Sequence, residues 1–405
     1  MADLAVAEQD PIPQPAGRSW RERNRWLWLP LVAFFITRLM LVLPMYLSQQ
    51  EIPDNRFIEP YHVWPTNIAI DTLGGRWDTG FYLNIAEEGY HYFEEDVVFP
   101  SVAFFPALST LMVLFAPLFG GQVILSGLFV TNLALLAASI LLYRLVALEF
   151  GEATAGRSVW YMLIFPTSLF GSAIYTESLF LLCAVGAFFA ARRGRWGWAT
   201  LFSALSSATR LMGIILLPAL LAEWWQQRQR RAPAERPPRW AVIAPLAAPL
   251  GMLAYMAYLG WQFGDPFGFY RASAVWERSP QPVWEMVQEL FVRPAGGWRA
   301  ALATASFAVN DWIDFLFALC FLILGLVILW KRRWSEGLFV LFGVLLPLNS
   351  GLWASQRRYV WVLFPVFILL ARWGKSSTVD RLITVLFLIL LSYFAMLYAN
   401  WYWVA

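Results

Sequence analysis

The sequence predicts an all-α polytopic membrane protein, with about 9–11 transmembrane helices, re-entrant or juxtamembrane helices and a large first external loop. Three observations predict it. Of 405 residues, 59% are hydrophobic and only 14% are charged, whereas soluble domains run near half apolar and a quarter charged. Apolar runs long enough to cross a hydrocarbon core recur at about 26–48, 122–144, 155–172, 175–192, 241–262, 311–331, 335–350, 358–373 and 379–400. Basic residues cluster beside those runs, and 23 tryptophans and 15 tyrosines suit the aromatic belts of a membrane interface. The net charge of +3 does not point to nucleic acid, and Cys183 and Cys320, each inside an apolar run, make no disulfide framework.

Taking the elements in order, the tail 1–25 is polar and basic without a cleavable-signal pattern, so the first span is read as an uncleaved anchor. Arg18, Arg21, Arg23 and Arg25 put this tail in the cytoplasm by the positive-inside rule. Arg192, Arg193 and Arg195 mark a second cytoplasmic turn, Arg228, Arg230, Arg231, Arg236 and Arg239 a third, and Lys331, Arg332 and Arg333 a fourth. Both ends of 197–222 therefore lie on one face. Split at Arg210, that segment gives two arms of about a dozen residues, each rising only about 18 Å. It reads as a re-entrant hairpin with Arg210 near its tip. Only one crossing fits between loop 49–101 and the cytoplasmic Arg144 and Arg157, so the Pro-interrupted 102–119 lies along or dips into the outer leaflet. The resulting parts are a membrane module over 26–262, an external loop or lid at 263–310, a short external loop at 350–357, and C-terminal helices in 311–405.

The first external loop carries ten acidic residues against Arg56 and Arg76, and holds both histidines, His62 and His91. Within it, Asp78 stands in RWDTGFYLNIAEEGY directly before residues with helical spacing. It is either an N-cap accepting a backbone N–H or a general base for an acceptor hydroxyl. Glu177, in SAIYTESLF, begins a span at the external side, where an ionisable side chain is costly unless it serves a site or sits in interfacial water. Arg210 cannot rest in lipid and requires a carboxylate, a phosphate or a polar cavity, with Glu177 or Asp78 as candidate ion-pair partners. Arg357 and Arg358, beside Tyr359, sit on the face that usually lacks arginine, which suggests an anionic ligand or else headgroup anchoring. Asp311 and Asp314 read as interfacial rather than as metal ligands. Walker, GxGxxG, HExxH, Cys-cluster and DxD patterns are all absent, so no metal or cofactor is expected. The lack of an internal repeat weighs against an inverted-repeat transporter.

Taken in order, RWD, FYLNIAEEGY, AFFPALSTL, SAIYTESLF, ATRLMG, FGDPFGFYRASAVW and SQRRYVWVLFP resemble the PIG-V-like mannosyltransferases. These are a branch of the GT-C superfamily of polytopic membrane glycosyltransferases, and the resemblance covers about positions 70–365. It implies a GT-C-like helical bundle using a polyprenyl- or dolichyl-phosphate sugar as donor and a glycolipid, glycan or protein as acceptor. It also implies roles for residues at matching positions. Asp78 and Glu177 are the acidic site residues, and Arg210 with Arg357, Arg358 and Tyr359 binds the donor phosphate. Arg76 stands where the family has an aromatic residue or histidine. Trp77, Arg76, Tyr82, His91, Tyr175 and Trp276 are expected to bind sugar or form a lid. The expected place is the plasma membrane, with the site on the external face. A flippase for a lipid-linked sugar and a non-catalytic subunit of a glycosylation complex are the alternatives.

Overall fold

The computed structural model describes residues 20–53, 55, 68–93, 99–292, 297–303 and 307–404. Asp54, Glu59, Glu94, Glu95 and Asp96 of the acidic loop, with Arg56, His62 and the tail residue Arg18, lie outside them. Among the described residues every regular element is helical, and the chain is a multi-pass membrane protein. Among the described residues, four helices are long and apolar enough to cross a bilayer: Arg25–Glu51, Val123–Phe150, Ala308–Trp330 and Ser377–Ala399. The pair Arg239–Leu246 and Leu250–Phe263, bent by 48°, makes a fifth if it is one span. These long helices expose large apolar side chains such as Phe35, Leu39, Leu326 and Leu382, as lipid-facing surfaces do.

The other apolar runs are met as shorter or interrupted helices, and the interruptions are buried. The 155–172 run is α-helical only over Glu152–Leu163, with a short 3-10 turn at Ser168–Gly171, because Pro166 follows and a proline has no N–H to continue the ladder. Residues 161–181 are buried throughout, including the non-helical stretch before the Glu177–Arg192 helix. Irregular backbone at that depth needs partners from elsewhere in the protein, and they are present. Arg38, in the middle of the first long helix, donates to the Leu163 carbonyl (2.7 Å) and the Ser168 carbonyl (3.0 Å), and to the Ser172 hydroxyl. Trp361 donates its indole N–H to the Met162 carbonyl at 2.9 Å. The indole packs so closely on Gly171 that a Cβ there would lie 2.4 Å from it.

A second interruption falls at Arg210, between Trp196–Thr209 and a 3-10 turn, Leu211–Ile215, that leads into Leu216–Arg230. The turn folds back onto the helix end, and at Gly213 a Cβ would sit 2.2 Å from the Ser207 amide nitrogen. The 102–119 run becomes the short helix Ala107–Phe115 and a 3-10 turn, Ala116–Phe119. Nine residues rise only about 13 Å, too little to span.

Charge is separated along the bundle. The Glu177–Arg192 helix is 16 residues long, so its ends lie roughly 24 Å apart. At the Arg192 end, Arg192 pairs with Glu336 (2.7 Å), Glu223 (3.4 Å) and Glu149, and Arg333 pairs with Glu149 (2.7 Å) and Glu336. That network ties four helices together at one end. The Glu177 end holds a different cluster.

Candidate functional site

Two helix beginnings place the two acidic residues. Asp78 stands immediately before the helix Thr79–Glu87, and Glu177 is the first residue of Glu177–Arg192. A carboxylate near a helix N-terminus is favoured by the partial positive charge there. Asp78, however, is no cap in the hydrogen-bonding sense: it has right-handed helical φ and ψ, and its side chain accepts no capping bond. The carboxylate turns away to Arg358, with Nη1 and Oδ2 2.7 Å apart. Its own N–H donates to the Tyr175 hydroxyl at 3.2 Å.

Arg358 joins the two carboxylates, since its Nε lies 3.4 Å from Glu177 Oε1. The same Glu177 oxygen pairs with Arg210 Nη1 at 2.9 Å. Of the two carboxylates that the cost of a buried arginine proposed for Arg210, Glu177 is the partner and Asp78 pairs with Arg358 instead. Arg210 also ends a helix, where a cation suits the partial negative charge. Tyr359 completes the group: its hydroxyl accepts from Arg358 Nη2 at 3.3 Å, and the Arg210 guanidinium lies 5.0 Å from its ring centre. Tyr175 and Phe170 present ring faces to Arg358 at 5.1 and 5.5 Å. Asp78 remains 22% exposed, while Glu177 is 1% exposed. Tyr82 is buried on the Thr79–Glu87 helix, and burial, with Glu177 next in effect, raises its phenol above the ordinary range. It stays protonated beside the cluster.

Backbone strain marks the segments that deliver these side chains. Trp77, just before Asp78, and Ser355, at the cap of the helix that carries Arg358, both have positive φ (57° and 73°). For non-glycine residues that conformation costs roughly 1–2 kcal/mol, so the surrounding structure must hold both turns.

Several expected site residues lie elsewhere. Arg357 does not join its neighbour. Its backbone N–H donates to Asp314 Oδ1 (2.7 Å), its Nε pairs with that oxygen (3.2 Å), and its Nη2 donates to Asn310 (2.6 Å). Adjacent helical residues point about 100° apart, so one arginine enters the cluster while the other faces the Phe307–Trp330 helix. Asp314, read as interfacial, is accordingly fully buried. Removing it in Asp314→Ala strands a buried arginine and should cost about 3–5 kcal/mol in thermal unfolding; an unchanged unfolding midpoint would show that Asp314 is not what holds Arg357.

Arg76 and Trp77 anchor the turn instead of facing Arg358. The Arg76 guanidinium lies 4.7 Å from the Trp401 ring centre, and Trp77 packs against Trp401 and Trp403. His91 is half-exposed, its imidazole 3.3 Å from Glu88, and its backbone N–H donates to the Ser101 hydroxyl. Trp276 lies over the Thr79–Glu87 helix, against Phe81, Phe99 and Phe104.

Two arginines were missed. Arg38 was visible as a charge in mid-span, which is itself a signal. Arg278, from the 263–310 segment, donates to the Tyr359 hydroxyl at 3.2 Å, and nothing in its local sequence marks it. Among the described residues, no three His, Cys, Asp or Glu side chains gather in a way that could hold a metal ion.

Residues 33–230 match the model of a family described as mannosyltransferase (PIG-V). No curated protein matches the chain. Among solved structures, the archaeal oligosaccharyltransferase AglB from Archaeoglobus fulgidus, in complex with an inhibitory peptide and a dolichol-phosphate, is similar at 11% identity and a TM-score of 0.45. That match covers 94% of this chain and 56% of AglB. ArnT from Cupriavidus metallidurans, bound to undecaprenyl phosphate, is similar at 12% identity and a TM-score of 0.47, covering 87% of this chain and 60% of ArnT. The chain thus spans well under two thirds of either protein's length. The resemblance drawn from the ordered motifs is met by a match to the mannosyltransferase (PIG-V) family model over residues 33–230, just under half of the chain.

Proposed function

We propose that the chain is a membrane glycosyltransferase that moves a sugar, mannose by family, from a polyprenyl-phosphate donor to an acceptor hydroxyl. The observation that carries this reading is the ion cluster Asp78–Arg358–Glu177–Arg210 with Tyr359, in which a half-open carboxylate adjoins buried guanidinium groups. Arginine forks match phosphate oxygens, so Arg358 and Arg210 stabilise the charge that develops on the leaving phosphate. Asp78, the more exposed carboxylate, takes the proton from the acceptor hydroxyl. The acceptor oxygen forms its bond to the anomeric carbon as the carbon–phosphate-oxygen bond breaks, and the polyprenyl phosphate departs with the electron pair. Attack from the face opposite the leaving group inverts the anomeric centre. Glu177, closed over by two arginines, positions those guanidiniums rather than touching the acceptor. Guanidinium groups neutralise the phosphate here, so the scheme needs no metal.

The Arg192–Arg333 network and the other basic turns gather at the far end of the bundle, which supports a cytoplasmic assignment for that end. The site then opens at the external face of the plasma membrane. The test is transfer by the purified full chain from polyprenyl-phosphate mannose to membrane-lipid and glycan acceptors, with and without EDTA. Expected are product formation, an inverted linkage by NMR and no loss in EDTA. A protein that translocates the donor lipid but never consumes it would make the flippase reading the right one.

A further inference from the structure

The segment 264–292 reaches across the site, and its two ends are held separately. At the start, Asp265 accepts from Tyr92 and pairs with Arg271. At the far end, Gln281 donates to the Gly351 carbonyl (3.0 Å) and Trp353 donates to the Met286 carbonyl (3.0 Å). Between these anchors two side chains touch the site's own elements. Trp276 packs on Phe81, in the helix that directly follows Asp78, with ring centres 5.8 Å apart. Arg278 donates to Tyr359, the residue after Arg358. The segment therefore bridges the same two elements that the Asp78–Arg358 ion pair joins.

The residue between them explains how one short stretch serves both. Glu277 has φ of 57°, and this left-handed turn sends Trp276 and Arg278 to different helices. A non-glycine residue there is strained, as are Trp77 and Ser355 in the segments that present Asp78 and Arg358. Arg278 also leaves the charge unbalanced. Three guanidiniums (Arg210, Arg278 and Arg358) surround Tyr359, but only Asp78 and Glu177 pair with them among the described residues. Arg278 itself meets no carboxylate there.

We infer that Arg278 is a donor-phosphate ligand carried by this strap, so that a phosphate in the site draws the strap onto Asp78 and excludes water. The inference rests on the donor reading above and adds a binding residue from a segment that reading does not use. A phosphate offers Arg278 a fork of anionic oxygens where Tyr359 offers a single phenol oxygen, and closure protects the donor from hydrolysis.

The experiment measures binding of undecaprenyl phosphate and of undecaprenol to the purified full chain, with hydrogen exchange followed over 264–292. The wild type is expected to prefer the phosphate and to gain protection over 273–279 only with it. Arg278→Gln keeps a donor for Tyr359 but removes the charge. It should lose about tenfold in phosphate affinity, leave undecaprenol binding unchanged and abolish the added protection, whereas Arg278→Lys restores part of both. Wild-type affinity and protection in Arg278→Gln would overturn the inference while leaving the donor reading intact. A wild type that binds the phosphate and the alcohol equally would overturn the donor reading itself.

Discussion

Asp78→Asn is expected to lower sugar transfer about 10²–10⁴-fold, the range for losing a general base, while the protein still binds its donor. Asparagine keeps the shape of the side chain but cannot take the acceptor proton. The sign of the binding change is a sharper check. Asp78 lies 2.7 Å from Arg358, and neutralising it frees that guanidinium for a phosphate. Polyprenyl-phosphate affinity should therefore hold or rise as turnover collapses, which separates loss of a base from loss of a binding group. Lipid movement by a flippase would survive the same change. Full transfer by purified Asp78→Asn protein would falsify the base assignment.

Arg358→Ala has the opposite signature. The side chain is buried between Asp78, Glu177 and Tyr359, and truncating one member of a buried, hydrogen-bonded charge pair costs about 2–5 kcal/mol. Much of that cost comes from Asp78, left without its partner, and from Glu177, left with Arg210 alone. Donor affinity should fall by about 10²-fold or more, with turnover lost alongside. Arg358→Lys should recover only part, because one ammonium cannot reach both carboxylates and the phenol as a guanidinium fork does. Lipid-phosphate binding by equilibrium titration checks both variants. Unchanged affinity in each would return Arg358 to a structural role.

The comparison of Arg357 with Arg358 shows where sequence reasoning stops. Two arginines on the side that usually lacks them identified the region, and cost arguments about buried charge were enough to pick it out. Which arginine enters the site depends on how the Gln356–Trp361 helix is turned, and that is set by Asp314 and Asn310 on another helix. Arg76 and Trp77 are similar. Their place in the RWD motif suggested a sugar contact, yet the C-terminal Trp401 and Trp403 claim their side chains. The cost of burying Arg210 alone narrowed its partner to Glu177 or Asp78; the structure selects Glu177, and Asp78 goes to Arg358.

By itself the sequence determined the all-helical membrane architecture, the break at Arg210 and the identity of most charged residues near the site. Those follow from apolar run length, proline placement and the price of an unpaired charge in a dry interior, all of which are local. The tertiary structure alone decided that Asp78 meets Arg358 across 280 positions of chain, that Arg38 satisfies the broken backbone near Ser168, and that Arg278 reaches Tyr359. Such pairings depend on the rotation and offset of packed helices. Local pattern does not encode them, because any buried arginine is satisfied by any carboxylate or free carbonyl that packing brings within reach.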